Sequence, residues 1–145
     1  MVVDKSNVWT WGFNYHGQLG DNSISNRLTP VSIYGNHNFC KIFADANFSL
    51  GLDNNGQSWT WGYNNYSMLG NGDASQIDKS TPVAVCGNHT FCKISQGMQY
   101  GNTHAIDNNN IVWGWGRNDS GALGIGDGTR VNRITPVRVY SSYIP

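Results

Sequence analysis

The stretch 59-WTWGYNNYSMLG-70 places two tryptophans one residue apart, a glycine directly after them and a Leu-Gly pair further on. It recurs as 9-WTWGFNYHGQLG-20 and 113-WGWGRNDSGALG-124, so the first tryptophans are spaced by 50 and 54 residues. A second pattern follows in step: 29-TPVSIYGNHNFCKI-42, 81-TPVAVCGNHTFCKI-94 and the shorter 135-TPVRVY-140. A third, 52-LDNNGQSW-59, returns as 106-IDNNNIVW-113 and, shortened, as 3-VDKSNVW-9. Self-similarity at a fixed period of this size is the mark of a repeat architecture, in which one supersecondary unit stacks on its neighbours.

Composition selects the unit. Every acidic residue is Asp, and 18 glycines accompany abundant Asn, which disfavours helices and suits strands joined by turns. In the central copy, extended stretches are expected at 40–43, 48–52, 57–62 and 81–85, the second and third joined by the hairpin 53-DNNG-56. Four strands in about 50 residues make one propeller blade. The expected fold is therefore all-β, built of four-stranded antiparallel blades. The chain 1–145 divides into a half blade at 2–35, blades at 39–86 and 91–140, and a tail at 141–145.

Alternation along the third strand puts both tryptophans on one face. Trp9, Trp11, Gly12, Trp59, Trp61, Gly62, Trp113, Trp115 and Gly116 are thus assigned to blade packing, the glycines clearing space for a close backbone approach. Pro30, Pro82 and Pro136 are read as opening a fourth strand on an outer edge, where a missing N–H does least harm. Between W-x-W-G and T-P-V each copy carries a polar loop. Its aromatic and Asn-rich start makes Phe13, Tyr15, His16, Tyr63, Tyr66, Arg117 and Asp119 the candidate contact residues. Asn14, Asn64 and Asn118 share one repeated position and are expected to hydrogen-bond the loop backbone.

Other constellations point away from chemistry. His37-x-x-Cys40 and His89-x-x-Cys92 fall in different blades, and neither pair supplies the ligands of a zinc site; Cys40 is read as a small core residue beside Ile42. The loops 20-GDNS-23, 71-NGDAS-75 and 124-GIGDGTR-130 offer about one carboxylate per blade where calcium wants six or more oxygens, and they read as blade-edge turns. The histidines, at 16, 37, 89 and 104, are placed in loops or at strand starts and form no catalytic set, so no enzyme activity, cofactor or metal is expected. Zero net charge without a Lys/Arg run gives no footprint for nucleic acid or an anionic membrane, and no apolar run is long enough to cross a bilayer. Three cysteines without C-x-x-C do not suggest a disulfide framework, and the sequons at Asn47, Asn65, Asn88 and Asn118 are read as chance matches in an Asn-rich chain.

The order W-x-W-G-x-N-x-x-G-x-L-G, polar loop, T-P-V, short strand and D-x-x-G hairpin resembles the repeat of the regulator of chromosome condensation family, across almost the whole chain. Gly12, Asn14, Gly17, Leu19, Gly20 and Pro30 are all on pattern. Departures are Ser67 where the other copies have Gly17 and Gly121, Asn110 in place of Gly56, and Ala46-Asn47-Phe48 and 98-MQYGNTH-104 before the second strands. The resemblance implies a seven-bladed propeller in full-length members. It also implies uses such as nucleotide exchange on a small GTPase, inhibition of a β-lactamase, or scaffolding, none of which transfers residue by residue.

Two and a half blades leave two aromatic end faces uncovered, and closed propellers need four blades or more. A longer chain, a closed oligomer or a head-to-tail filament would each cover them. The reading is a non-enzymatic protein-interaction or assembly module completed by self-association or by further chain. The alternatives are a polymerising structural protein of an extracellular or virion fibre and a sialidase-like enzyme, the latter lacking a second acid, a tyrosine nucleophile and an arginine triad. Low charge and Asn/Gly/Tyr richness lean toward an extracellular or virion surface rather than the cytoplasm.

Overall fold

A computed structural model describes residues 1–4, 7–97 and 101–140, with no account of the side chains of residues 3 and 4. The expected tail at 141–145 and the departure at 98–100 lie outside the described residues. The described chain is all-β, in three antiparallel sheets whose ring is not closed. The first sheet holds β1 (Val2–Asp4), β2 (Asn7–Gly12) and β3 (Arg27–Ser32) in that order. The second is β4 (Phe39–Ala44), β5 (Phe48–Asp53), β6 (Ser58–Gly62) and β7 (Lys79–Ala84); the third is β8 (Phe91–Gly97), β9 (Asn102–Asp107), β10 (Val112–Gly116) and β11 (Arg133–Arg138). In both the strands pair in chain order, and among the described residues the first sheet has no counterpart of β4.

Each hairpin between the second and third strands is organised by its aspartate. Asp53 Oδ1 accepts from the amides of Asn55 and Gln57, and its Oδ2 accepts from Trp59 Nε1 at 3.0 Å. Asp107 repeats this with Asn109, Ile111 and Trp113. Asn110 takes the turn glycine's place at φ 60°, which Asn tolerates better than most side chains.

The glycine of W-x-W-G serves a bulge. Register shifts lie between Thr10 and Gly12, Thr60 and Gly62, and Gly114 and Gly116, and the three glycines have φ of 107°, 98° and 91°. Gly62 and Gly116 are crowded as well: a Cβ on Gly62 would stand 2.6 Å from the Asn47 carbonyl, and one on Gly116 would strike that of Gly101. Around Gly12 the space is open, so its backbone angle alone demands glycine there. Opposite the bulges, Pro30, Pro82 and Pro136 lie inside β3, β7 and β11 rather than at their starts. Each proline is left out of the register at the irregularity, on an edge strand, although the residue after it (Val31, Val83 or Val137) is paired, so its missing N–H costs no ladder bond.

Apolar clusters hold the sheets face to face. Val8 and Ile33 meet Phe39 and Trp61 between the first and second sheets. Leu50, Leu52 and Val85 meet Phe91, Ile94, Ala105 and Trp115 between the second and third. At each joint the tryptophan that follows the central Thr or Gly enters a seat on the preceding sheet. A Cβ on Gly20 would come within 2.7 Å of Trp61 Nε1, and one on Gly70 within 2.6 Å of Trp115 Nε1. The Leu-Gly pair thus supplies the seat for the next blade's tryptophan, in addition to the turn at φ 72° and 61°.

The paired tryptophans do not act alike. Trp61 and Trp115 are fully buried, whereas Trp59 and Trp113 are half-buried and tied to their own hairpin aspartates. Trp9 and Trp11, expected to pack between blades, are 38% and 44% exposed, as no sheet among the described residues lies beyond that face.

Candidate functional site

The loops that follow W-x-W-G leave the same end of all three sheets, opposite the Asp hairpins, and a buried asparagine frames each. Asn14, Asn64 and Asn118 accept from the amides of Leu19, Leu69 and Leu123 through Oδ1. Their own amides donate to Asn26, Asp78 and Asn132 across the loop, and their side-chain amides donate to the carbonyls of Ser23 and Ser25, of Ile77, and of Thr129. These three asparagines are buried struts that hold the loop backbone from within.

A second repeated device closes each loop. Asp21 holds Ser23 and Arg27, Asp73 holds Ser75 and Lys79, and Asp127 holds Thr129 and Arg133. At Asp21 burial opposes ionisation, but the hydrogen bonds of Ser23, Arg27 and Asn14 and the Arg27 charge outweigh it and lower its pKa. Hydrogen bonds from Lys79 and Ser75 hold Asp73 far below the usual carboxylate range, and those from Thr129 with the Arg133 charge lower Asp127 against a smaller cost of desolvation. These are the carboxylates of the glycine-aspartate loops, and each already neutralises a cation of its own loop.

On this frame stand the candidate contact residues. Phe13 and Tyr15 stack with centroids 6.3 Å apart, Tyr15 meets His16 edge-on at 5.5 Å, and His16 meets Tyr63 at 4.6 Å. One aromatic row therefore crosses from the first sheet's loop to the second's. His16 Nδ1 lies 2.8 Å from Asp78 Oδ2, which fixes the row at its middle. Further along, the Arg117 guanidinium covers the Tyr66 ring at 4.6 Å and its Nε donates to Asp119 at 2.7 Å, linking the second and third loops. Tyr63, Tyr66, Met68 and Arg117 line a hollow of about 210 Å³ with Asn47 and Gly101. The seven residues thus form a row of four and, around Arg117, a group of three with Tyr66 and Asp119. Asp78 was missed, although its position answers to Asn26 and Asn132 in the other copies; only alignment of the copies brings it out.

The H-x-x-C pairs separate. Cys40, read as a core residue beside Ile42, is exposed, because a bulge between Phe39 and Lys41 breaks the alternation there. Cys92 is exposed at the corresponding bulge after Phe91. His37 turns instead onto the rings of Phe39 and Trp59, at 5.2 and 4.3 Å, and His89 onto Phe91 and Trp113, at 5.4 and 4.0 Å. Burial lowers the pKa of both imidazoles, against the opposing charges of Asp53 and Asp107. His104, expected in a loop or at a strand start, lies within β9, its Nε2 3.3 Å from the Leu123 carbonyl. In the other sheets that carbonyl's counterpart accepts from Thr10 or Thr60, so His104 opposite Gly114 exchanges places with that Thr. Among the described residues no three His, Cys or Asp side chains converge as metal ligands.

The sequence matches the model of the regulator of chromosome condensation (RCC1) repeat at residues 5–52, 55–106 and 109–143. The second and third matched units begin in the hairpins of their sheets and the first two run on into the next sheet, so the sequence repeat is staggered against the sheets. Among solved structures, the chain is similar to Prp20p from Saccharomyces cerevisiae, solved together with an account of its binding to Gsp1p and histones. That match has a TM-score of 0.80 and 19% identity over 97% of this chain and 36% of the other. Yeast RCC1 (Prp20) in complex with Kap60 gives a TM-score of 0.79 at 19% identity, covering 94% and 33% of the two chains. Human WBSCR16 gives 0.78 at 20%, covering 96% and 36%. The chain thus spans about a third of the length of these relatives.

Proposed function

Because the chain belongs to the regulator of chromosome condensation (RCC1) repeat family, we propose that it is a non-enzymatic protein-interaction module whose end sheets are completed by self-association or by further chain. The observation that carries this reading is the row Phe13–Tyr15–His16–Tyr63 with the Arg117–Tyr66 pair beside it. Phe13 and Tyr15 are 56% and 71% exposed, yet their loop is held by buried asparagine struts. Rigid aromatic area with an Arg at its margin is the composition of a protein-binding surface, and it demands little ordering on contact. Relatives that bind Gsp1p, histones and Kap60 support a protein partner as the class. Zero net charge argues against a polyanion.

The test is a photo-crosslinking residue placed at Tyr15 in one variant and at Asn54, on the opposite hairpins, in another. A distinct protein product trapped only from Tyr15, and lost when Phe13 is changed to Ala, is expected; identical products from both positions would refute the reading. A polymerising structural protein is the second reading, favoured by the exposure of Trp9, Trp11 and Leu28 on the first sheet.

A further inference from the structure

We propose that the two end sheets are the halves of one joint, and that a second copy of this chain closes it by seating its Trp11 over Gly124. This deepens the reading of the chain as an assembly module and rests on it.

The internal joints show what such a seat requires. Gly20 receives Trp61 and Gly70 receives Trp115, both at positions where a Cβ would collide with the indole. The third seat, at Gly124, has the same left-handed backbone, φ 64°, but among the described residues nothing lies nearer its Cβ position than Val139 Cγ1, just past β11, at 3.6 Å. At the opposite end Trp11 stands in the place of Trp61 and Trp115, 44% exposed and unseated.

A backbone hydrogen bond makes the same point independently. The loop after each seat donates to the outer strand of the next sheet: Asn22 N–H to the Ser80 carbonyl at 2.9 Å, and Gly72 N–H to that of Ile134 at 2.8 Å. The repeat makes Gly126 the next donor and Leu28 the matching acceptor. Leu28 is 98% exposed, and among the described residues a Cβ on Gly126 would find only Tyr140, beyond the end of β11, at 3.8 Å. Packing around Gly17 agrees, since a Cβ there would come 2.6 Å from Ser80 Cα, whereas its counterpart Gly121 faces open space. Gly121, Gly124 and Gly126 together line a hollow of about 280 Å³. Three features of the joint are therefore unfilled at one end, and the residues that fill them stand exposed at the other. Contact surfaces of this kind differ from each other, so association runs head to tail.

Solution mass resolves it. The chain should show a mass that rises with concentration above 16.0 kDa. Trp11→Ala removes the inserted side chain, and Gly124→Asn fills the seat while accepting a left-handed backbone. Each variant alone should self-associate at least about thirtyfold more weakly, as expected of a buried aromatic anchor. An equimolar mixture should recover one intact joint per pair and stop at two chains. Leu28→Lys, on a side chain that the fold does not bury, should also weaken association. A parent chain that stays monomeric, variants that associate like the parent, or a mixture of folded variants that stays monomeric would each overturn the proposal. Crosslinking from Tyr15 in the Trp11→Ala chain tests the loop-face reading apart from this joint.

Discussion

The joint between the first and second sheets and the joint between the second and third use the same tryptophan and the same glycine seat, yet they are finished differently. In the first, the Gln18 carbonyl accepts from both Trp61 Nε1, at 3.0 Å, and Ser49 Oγ, at 2.8 Å, and the Gln18 side chain donates to the Ala46 carbonyl. In the second, Met68 replaces Gln18, and Trp115 Nε1 and Thr103 Oγ1 are buried with no hydrogen-bond partner among the described residues. Compensation is apolar: among the described residues seven buried side chains form the second joint's cluster against four in the first, and Gly101 packs on Met68 so closely that a Cβ would stand 2.6 Å from its sulfur. One seat thus accepts either a polar anchor or a larger apolar contact, which shows that the tryptophan's shape, rather than its N–H, is the common requirement.

The largest effect should come from Trp61→Ala and Trp115→Ala, each expected to cost about 3–5 kcal/mol by urea unfolding. Equal costs would mean that the polar anchor is worth little. Gly20→Ala and Gly124→Ala share a left-handed backbone, at φ 72° and 64°, but only the first meets an indole. Both should pay about 1–2 kcal/mol of backbone strain, with about 1–3 kcal/mol more at Gly20 for the clash; matched losses would refute the seat. Ser49→Ala should destabilise by about 1 kcal/mol, whereas Thr103→Val, which removes an unpaired hydroxyl, should be neutral or stabilising by a similar amount. A loss at Thr103 would show that its hydroxyl is satisfied in solution.

The smallest effect tests both joints alike. His37 and His89 stack on Phe39 and Phe91, and burial lowers both pKa values from 6.5. The unfolded chain therefore binds protons first as pH falls. Stability is full above about pH 6.5 and declines below it until the folded-state pKa values are passed. The double variant His37→Gln, His89→Gln should flatten that decline in thermal melts taken across the range; an unchanged slope would place its origin elsewhere.

Most of the fold is legible in the residues because the repeat writes each requirement three times. Trp, Gly and Leu-Gly recur where the joint needs a large ring, a positive φ and a cleared seat. What alternation could not disclose is where it breaks. Cys40 and Cys92 follow bulges, so their side chains leave the face that period two assigns them. The prolines sit inside their strands because the same irregularity frees their backbone. His104 was misplaced because its role belongs to Thr in the other copies, and only the paired exchange with Gly114 exposes it. The contact row was legible as a set of loop positions, but its continuity across sheets depends on Asp78 and on distances that no linear pattern carries.

The stagger between sequence unit and sheet has a thermodynamic consequence. Residues 33–38 and 85–90 carry the chain directly from one sheet to the next, so each internal joint is an intramolecular contact. Short tethers of this kind hold their ends at effective concentrations of about millimolar or more. Trp11 and Gly124 have no such tether between them within the described chain. In the joint proposed between two copies, the ring and seat that are permanent at the two internal places would be governed by concentration.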